Sequence, residues 1–372
     1  MEELKHELEK LAKTYVDTPE KEEKILIPFI KRLLELPMKE RRKVIPTIGE
    51  LQYERGEGWM TCCDPARRRF LAAIEFISAN KREMTMAYEI DFELLCKLLQ
   101  LYRPTWLSDF INGDHSFYSF NLNYQELMQL VDLGYIKELS PKLLGQMVPW
   151  QIRIRSSNSK EEETFDSSPL LKREITLKEH IWYVFEYESN LGYLDDCAKR
   201  AYKEGITVQD ESFSAILYRF SLDGHLDRNR LLRATLSTFN RSFKKDMVNW
   251  FAGLFEELQP RAEELISLQE EIMQVFTSPY TKPVNVMLQQ LKKIASEGGF
   301  RYQEFIERAT TLFFSSPKNS LLTIYSIFEQ IVAGHPEMKE ACCIPLCQLF
   351  LKKDESLQKK AANFISKYGD AS

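Results

Sequence analysis

The sequence lacks a run of apolar residues long enough to span a bilayer, and its first residues, Met1 to Lys5, do not lead into the apolar core of a signal peptide. A membrane-spanning helix needs about 18 or more such residues. These absences predict a cytoplasmic protein without a membrane partner. In that compartment the seven cysteines are expected to be free thiols.

Motifs for catalysis and nucleotide binding are also missing. None of the five histidines lies in an HExxH motif, in a cysteine–histidine pair or in a nucleophile elbow. Gly298 and Gly299 follow a helical pattern instead of a strand, so they do not form a phosphate-binding loop. The sequence therefore predicts no catalytic residue and no cofactor.

One cysteine cluster has the character of a metal site. On a helix, Cys343 and Cys347 would lie one turn apart, and Cys342 is adjacent. No histidine or second cysteine pair stands at zinc-finger spacing, and free cysteine is among the most buried residue types. We expect these cysteines to be small buried side chains, and no metal site is predicted.

The charge balance gives no global positive field, because the formal net charge is −5 and the pI is about 5.8. A local basic cluster is nevertheless present, followed one helix later by Trp250 and Phe251. It could line a groove that binds nucleic acid or an acidic peptide. The favoured alternative is that the cations are solvated or paired with acids. The cluster consists of Arg230, Arg233, Arg241, Lys244 and Lys245.

The C-terminal part of the chain repeats itself. A Phe-x-Ser-Pro segment followed by an apolar helical pattern begins at Phe276 and again at Phe314, and a third copy begins at Phe350 with Lys353-Asp354 in place of Ser-Pro. Steps of 38 and 36 residues are typical of helical hairpins of the HEAT type. The predicted fold is all-α, an α-solenoid of HEAT-like hairpins.

The same patterns divide the chain into three parts. Residues 1–154 are predicted to form N-terminal helical hairpins, and residues 171–372 are predicted to form HEAT-like repeats. Residues 155–170 are predicted to be a mobile linker or loop, because they are polar and show no apolar period. Trp106 and Trp250 each lie within an apolar helical series, so we expect them to be structural anchors.

Two segments and one short motif form a recognisable pattern: Arg103-Pro104, Trp106-Leu107, Leu130-Val131 and Leu133-Gly134; then Leu231-Leu232, Leu236, Phe239-Asn240-Arg241, Phe243, Asn249-Trp250-Phe251 and Leu254; and finally Leu357-Gln358 and Ala361. This pattern resembles an uncharacterised bacterial family, domain of unknown function 6493. The resemblance covers Asp91 to the C-terminus, and it implies a HEAT-like array of unknown activity.

These observations predict a non-catalytic scaffold that binds a protein or peptide along the concave face of the array. The alternative is a HEAT-like nucleic-acid binder or an enzyme of the DNA glycosylase type. Such an enzyme needs a basic groove that contains a carboxylate and an aromatic ring. The acidic pI disfavours nucleic acid as the partner, and no oligomeric state is predicted.

The last hairpin begins at Glu337 with a helix that is apolar on nearly every side. Terminal repeats normally present a polar outer face. We therefore expect either that the chain is the N-terminal part of a longer repeat protein or that a partner covers this hairpin. Both alternatives predict exposed apolar surface near Leu351 and Phe364.

Overall fold

The computed structural model describes residues 2–55, 60–113, 120–154, 164–206 and 211–369, and these are predominantly helical. The predicted all-α class is confirmed. The first α-helices are α1 (Glu2–Thr14), α2 (Pro19–Lys21), α3 (Ile27–Leu34), α4 (Met38–Arg41), α5 (Ile45–Leu51), α6 (Pro65–Ser78), α7 (Phe92–Leu101), α8 (Leu107–Ile111), α9 (Tyr124–Asp132) and α10 (Pro141–Trp150).

The remaining α-helices follow the same chain order: α11 (Ser168–Leu171), α12 (Glu174–Lys178), α13 (Leu191–Lys203), α14 (Phe213–Leu222), α15 (Arg228–Ser237), α16 (Lys245–Glu257), α17 (Ala262–Gln274), α18 (Thr281–Ile294), α19 (Tyr302–Thr310), α20 (Leu312–Ser315), α21 (Lys318–Gly334), α22 (Lys339–Leu346) and α23 (Glu355–Tyr368). Glu22–Leu26 is a π-helix. The 3-10 segments are Arg42–Val44, Ala87–Glu89, His180–Phe185, Thr238–Asn240, Val275–Thr277, Pro336–Met338 and Cys347–Leu351.

Two short antiparallel hairpins interrupt the helices. Strand β1 (Tyr53–Arg55) pairs with β2 (Met60–Cys62), and β3 (Arg153–Ile154) pairs with β4 (Thr164–Phe165). Residues 155–163 of the predicted linker lie outside the described residues. The rest of that segment forms β4 and most of α11, and the Phe165 side chain is buried.

The chain divides into two compact units, Met1–Met147 and Val148–Ser372. In the first unit α6 is central, because it contacts α1, α3, α4, α5 and α7. Every residue of α6 from Phe70 to Ser78 is buried. Its start is fixed by the Asp64 carboxylate, which accepts a hydrogen bond from the main-chain N–H of Arg67 at 3.0 Å. No described helix is both long and apolar enough to cross a membrane.

In the second unit, consecutive helices pack as pairs: α15 with α16, α17 with α18, and α22 with α23. The second members α16 and α18 also contact each other, and α18 in turn lies against α21. This is the pattern that stacked helical hairpins produce. A HEAT-like solenoid stays a prediction.

Arg228 joins several helices of this unit. Its guanidinium donates to Glu264 from Nε at 2.7 Å, to the main-chain carbonyl of Leu258 from Nη2 at 2.8 Å and to the Ser221 hydroxyl from Nη1 at 3.1 Å. It thereby links α14, α15 and α17 to the C-terminal end of α16. Burial alone would raise the pKa of Glu264, but the hydrogen bonds from Arg228 and Arg261 outweigh it and lower the pKa to about 2.

Trp250 is half-buried and joins α16 to α13 and α14. Its indole N–H donates to the Asp195 carboxylate at 2.8 Å, and its ring stacks on Phe213 with centroids 6.2 Å apart. The Phe213 main-chain N–H donates to the other Asp195 oxygen at 2.6 Å. Trp106 is also half-buried, but its indole N–H has no hydrogen-bond partner in the described part of the chain. The anchor role of both tryptophans stays a prediction.

The end of the chain agrees only partly with expectation. Leu351 is 79% exposed, as predicted, and Phe314, Ile344 and Phe350 are exposed as well. The prediction for Phe364 was wrong, because its side chain is buried. Its ring packs against Tyr325 of α21 and Tyr368 of α23.

We expect Arg228→Met to lower the free energy of unfolding by about 2–4 kcal/mol at pH 7, because it leaves the nearly buried Glu264 carboxylate without its main partner. Glu264 has a lowered pKa in the fold, so its contribution is complete above about pH 4.5 and is lost as the pH falls toward 2. The loss caused by the substitution should shrink over the same range. Urea unfolding at several pH values measures it.

Arg261→Met is the matched control. Arg261 also contacts Glu264, at 3.1 Å, but its side chain is 69% exposed. Exposed ion pairs contribute less than about 1 kcal/mol. Equal losses for the two variants would contradict the assignment of Arg228 as the buried link between these helices.

We expect Trp250→Phe to destabilise the protein by about 1–3 kcal/mol, because it leaves a buried Asp195 oxygen without its indole donor. Trp106→Phe should cost less, since the N–H that it removes is unpaired in the described structure. Thermal melts followed by circular dichroism compare the two. A larger loss for Trp106→Phe would refute this ranking.

Candidate functional site

A groove of about 690 Å³ lies between α16 and α18. This volume falls in the range of about 300–1,000 Å³ that is usual for ligand sites. The groove lies wholly within the second unit. Most of its lining residues have polar side chains, and the lining consists of Lys245, Asn249, Glu256, Pro279, Tyr280, Thr281, Lys282, Asn285, Val286 and Gln289.

The α16 wall is a single stripe of the helix. Lys245, Asn249, Gly253 and Glu256 are spaced by four, four and three residues, which places them along one face. The opposite side of α16 carries the buried Phe251 and Phe255. The spacing of the apolar residues therefore turns the polar stripe toward the groove.

Asn249 is the buried polar group of this wall. Its side-chain oxygen is shielded from solvent and has no hydrogen-bond partner among the described residues. Burying an unpaired amide oxygen costs about 1–3 kcal/mol. Asn249 also lines the groove, so its amide becomes a ligand contact once a rotation of the side chain exposes the oxygen.

Gly253 keeps the middle of the groove open. A Cβ atom at this position would meet only the ammonium nitrogen of Lys282, at 3.7 Å. Glycine inside a helix costs about 0.5–1 kcal/mol relative to alanine. Glycine at this position therefore lowers the stability of the helix, but it leaves free the space into which a larger side chain would project.

The α18 wall consists of amides that also contact the next helix pair. Gln289 donates from its amide nitrogen to the Thr323 hydroxyl of α21 at 2.9 Å. Asn285 accepts a hydrogen bond from the buried Ser320 hydroxyl. These two contacts orient the amides, and the Asn285 amide nitrogen donates to no described residue.

Two lysines give the groove its positive charge. Lys245 and Lys282 are exposed, and neither forms an ion pair within the described ranges. Lys282 lies in the first turn of α18, a turn without an acidic residue. A cation there is opposed by the helix dipole. Glu256, the one carboxylate of the lining, is also exposed.

The basic cluster noted in the sequence does not converge on this groove. Arg230 lies over the Trp182 ring at 3.9 Å, and Arg233 forms an ion pair with Glu271 of α17. Lys244 lies 3.9 Å from Glu188. Arg241 is exposed, and its side chain has no partner in the described structure. Of the five predicted residues, the groove contains only Lys245.

Sequence reasoning did not identify Asn249, Lys282, Asn285 or Gln289. Their helices are about 37 residues apart along the chain, and only the packing of α16 on α18 brings them together. Lys245 and Lys282 are also separated by about 37 residues, close to the steps of 38 and 36 residues between the repeated segments. This matching separation is the signal in the sequence that could have identified the two lysines as a pair.

The cysteines offer no alternative site. Cys342 and Cys343 are buried as expected, while Cys347 is exposed. Burial raises the pKa of the Cys342 thiol to about 12, which makes it a poor nucleophile. The described residues contain no group of three or more His, Cys, Asp or Glu side chains that could hold a metal ion.

Comparison with known proteins gives one match. No curated protein and no solved structure matches the chain. The profile of a domain of unknown function, DUF6493, matches residues 2–319. The match begins well before Asp91, at which the resemblance described above begins, and it ends before the Leu357-Gln358 pair. It includes both walls of the groove, and it shows that the chain belongs to the DUF6493 family.

Proposed function

We propose that this protein is a non-catalytic binding protein that holds a protein or peptide segment on one face of a HEAT-like helical array. The observation that carries the proposal is the groove between α16 and α18. Stacked hairpins form such a surface by geometry. In this protein the groove contains polar groups that have no hydrogen-bond partner in the described structure.

The polar groups of the groove suit a main chain. A peptide presents one N–H donor and one C=O acceptor at each residue, and an amide side chain offers both kinds of group. After rotation of its side chain, the unpaired oxygen of Asn249 can accept from a peptide N–H, and the amide nitrogen of Asn285 can donate to a peptide carbonyl. Binding would thus satisfy groups that the chain itself leaves unpaired.

The dimensions fit a short extended segment. From Lys245 to Glu256 the helix rises by about 16 Å, at about 1.5 Å per residue. An extended chain advances about 3.3 Å per residue. The groove therefore accommodates about five residues of a strand that lies parallel to α16.

The nucleic-acid alternative requires a carboxylate and an aromatic ring in a basic groove, and Glu256 and Tyr280 are both in the lining. Tyr280, however, directs its hydroxyl to the main-chain carbonyl of Phe243 at 3.5 Å. Among the described residues, the lining has no arginine and no second aromatic ring on which successive bases could stack. Peptide binding is therefore the better supported function.

A displayed library of random twelve-residue peptides, selected on the wild-type protein, tests the proposal. Selected peptides should bind Gly253→Ala as they bind wild type and should lose at least about tenfold in affinity for Gly253→Phe, because the phenyl ring fills the groove. Gly253→Ala should also raise the stability by about 0.5–1 kcal/mol.

Circular dichroism melts of both variants control for folding. The absence of any enriched peptide, or equal binding of the enriched peptides to Gly253→Phe, would show that the groove is not a peptide site.

A further inference from the structure

We infer that the segment bound in this groove is acidic, with two carboxylate side chains four residues apart in an extended chain. This inference rests on the proposed function and specifies its ligand. It depends on where the two unpaired ammonium groups lie along α16.

The first ammonium group belongs to Lys245, the first residue of α16. The second belongs to Lys282 of α18, whose nitrogen lies 3.7 Å from the point where a Cβ atom on Gly253 would stand. Gly253 lies eight residues beyond Lys245, or about 12 Å along the helix axis. The residue that carries the first ammonium group and the glycine nearest the second are thus about 12 Å apart along α16.

An extended chain matches this separation. Residues i and i+4 of a strand point to the same side and lie about 13 Å apart. Adjacent acidic residues point to opposite sides, so they cannot both face the lysines. The intervening residues would leave their main-chain groups opposite Asn249 and Asn285.

The chain already contains one contact of the proposed kind. Lys318 stands at the first position of α21 and forms an ion pair with Asp354 at 2.9 Å. Lys245, Lys282 and Lys318 lie in the first turns of three successive helices of the same row, α16, α18 and α21. The third lysine has a carboxylate from within the chain, whereas the first two have none in the described structure.

Glu256 sets the other end of the segment. It lies one helical turn beyond Gly253 on the same stripe, and it carries no ion pair within the described residues. A third acidic residue placed there would be repelled. The preferred ligand is therefore acidic over the first five residues and neutral or basic beyond them.

Four fluorescein-labelled nine-residue peptides on one Gly/Ser background provide the probes: aspartates at positions 3 and 7, adjacent aspartates at 3 and 4, asparagines at 3 and 7, and lysines at 3 and 7. Fluorescence anisotropy at about 50 mM salt measures their affinities. We expect the first peptide to bind about five- to tenfold more tightly than the second and third. The difference should shrink at about 500 mM salt, since exposed charges are then screened.

The double substitution Lys245→Glu with Lys282→Glu should abolish the preference for the acidic peptide and should create binding of the lysine peptide. This gain of binding shows that the variant is folded. Lys203→Glu with Lys359→Glu changes the net charge equally at exposed positions outside the groove, and it should behave as wild type.

Equal binding of the aspartate and asparagine peptides, or an unchanged preference in the double variant, would overturn the inference. Peptides whose binding depends on Gly253 could then still be found, so the proposed function would stand. A nine-residue thymidine oligonucleotide that binds more tightly than the acidic peptide and competes with it would overturn the inference in favour of nucleic acid.

Discussion

The hydrogen bond between Trp250 and Asp195 joins α16, which forms one wall of the groove, to α13. Asp195 is only 2% exposed, and burial raises its pKa, while the hydrogen bonds from Trp250 and Phe213 oppose that rise. Because Trp250 neighbours Asn249 on α16, we expect the direction of the indole to fix the rotation of the helix. Asn249 and the rest of its stripe then face α18 instead of the core.

Arg228 fixes the other end of the same helix. It binds the carbonyls of Leu258 and Gln259, which directly follow α16, and it simultaneously pairs with Glu264 in the first turn of α17. Carbonyls at a helix end have no partner within the helix, so the guanidinium satisfies them and turns the chain into the next helix. One cation thus positions two consecutive helix pairs.

The helical class could be predicted from the sequence, because apolar spacing at the helical period is a local signal, whereas the HEAT-like repeat stays a prediction. The β1–β2 hairpin was missed, since its strands have three residues each and surround a Gly-containing segment that resembles a break between helices. The candidate site was missed for a different reason. Arg230 and Lys245 are close in sequence but lie on different helices, whereas Lys245 and Lys282 are distant in sequence and share a groove.

The two hydrogen bonds between α18 and α21 affect how these packed helices respond to force. Asn285 and Gln289 are one turn apart on α18, and their partners Ser320 and Thr323 are nearly one turn apart on α21. Sliding one helix past the other by a turn of about 5.4 Å would break both bonds together. Apolar side chains alone would resist such sliding less specifically, because dispersion contacts have little directional preference. These polar contacts therefore hold the two helices in register against shear, and a force applied along the groove would pass to the neighbouring hairpin.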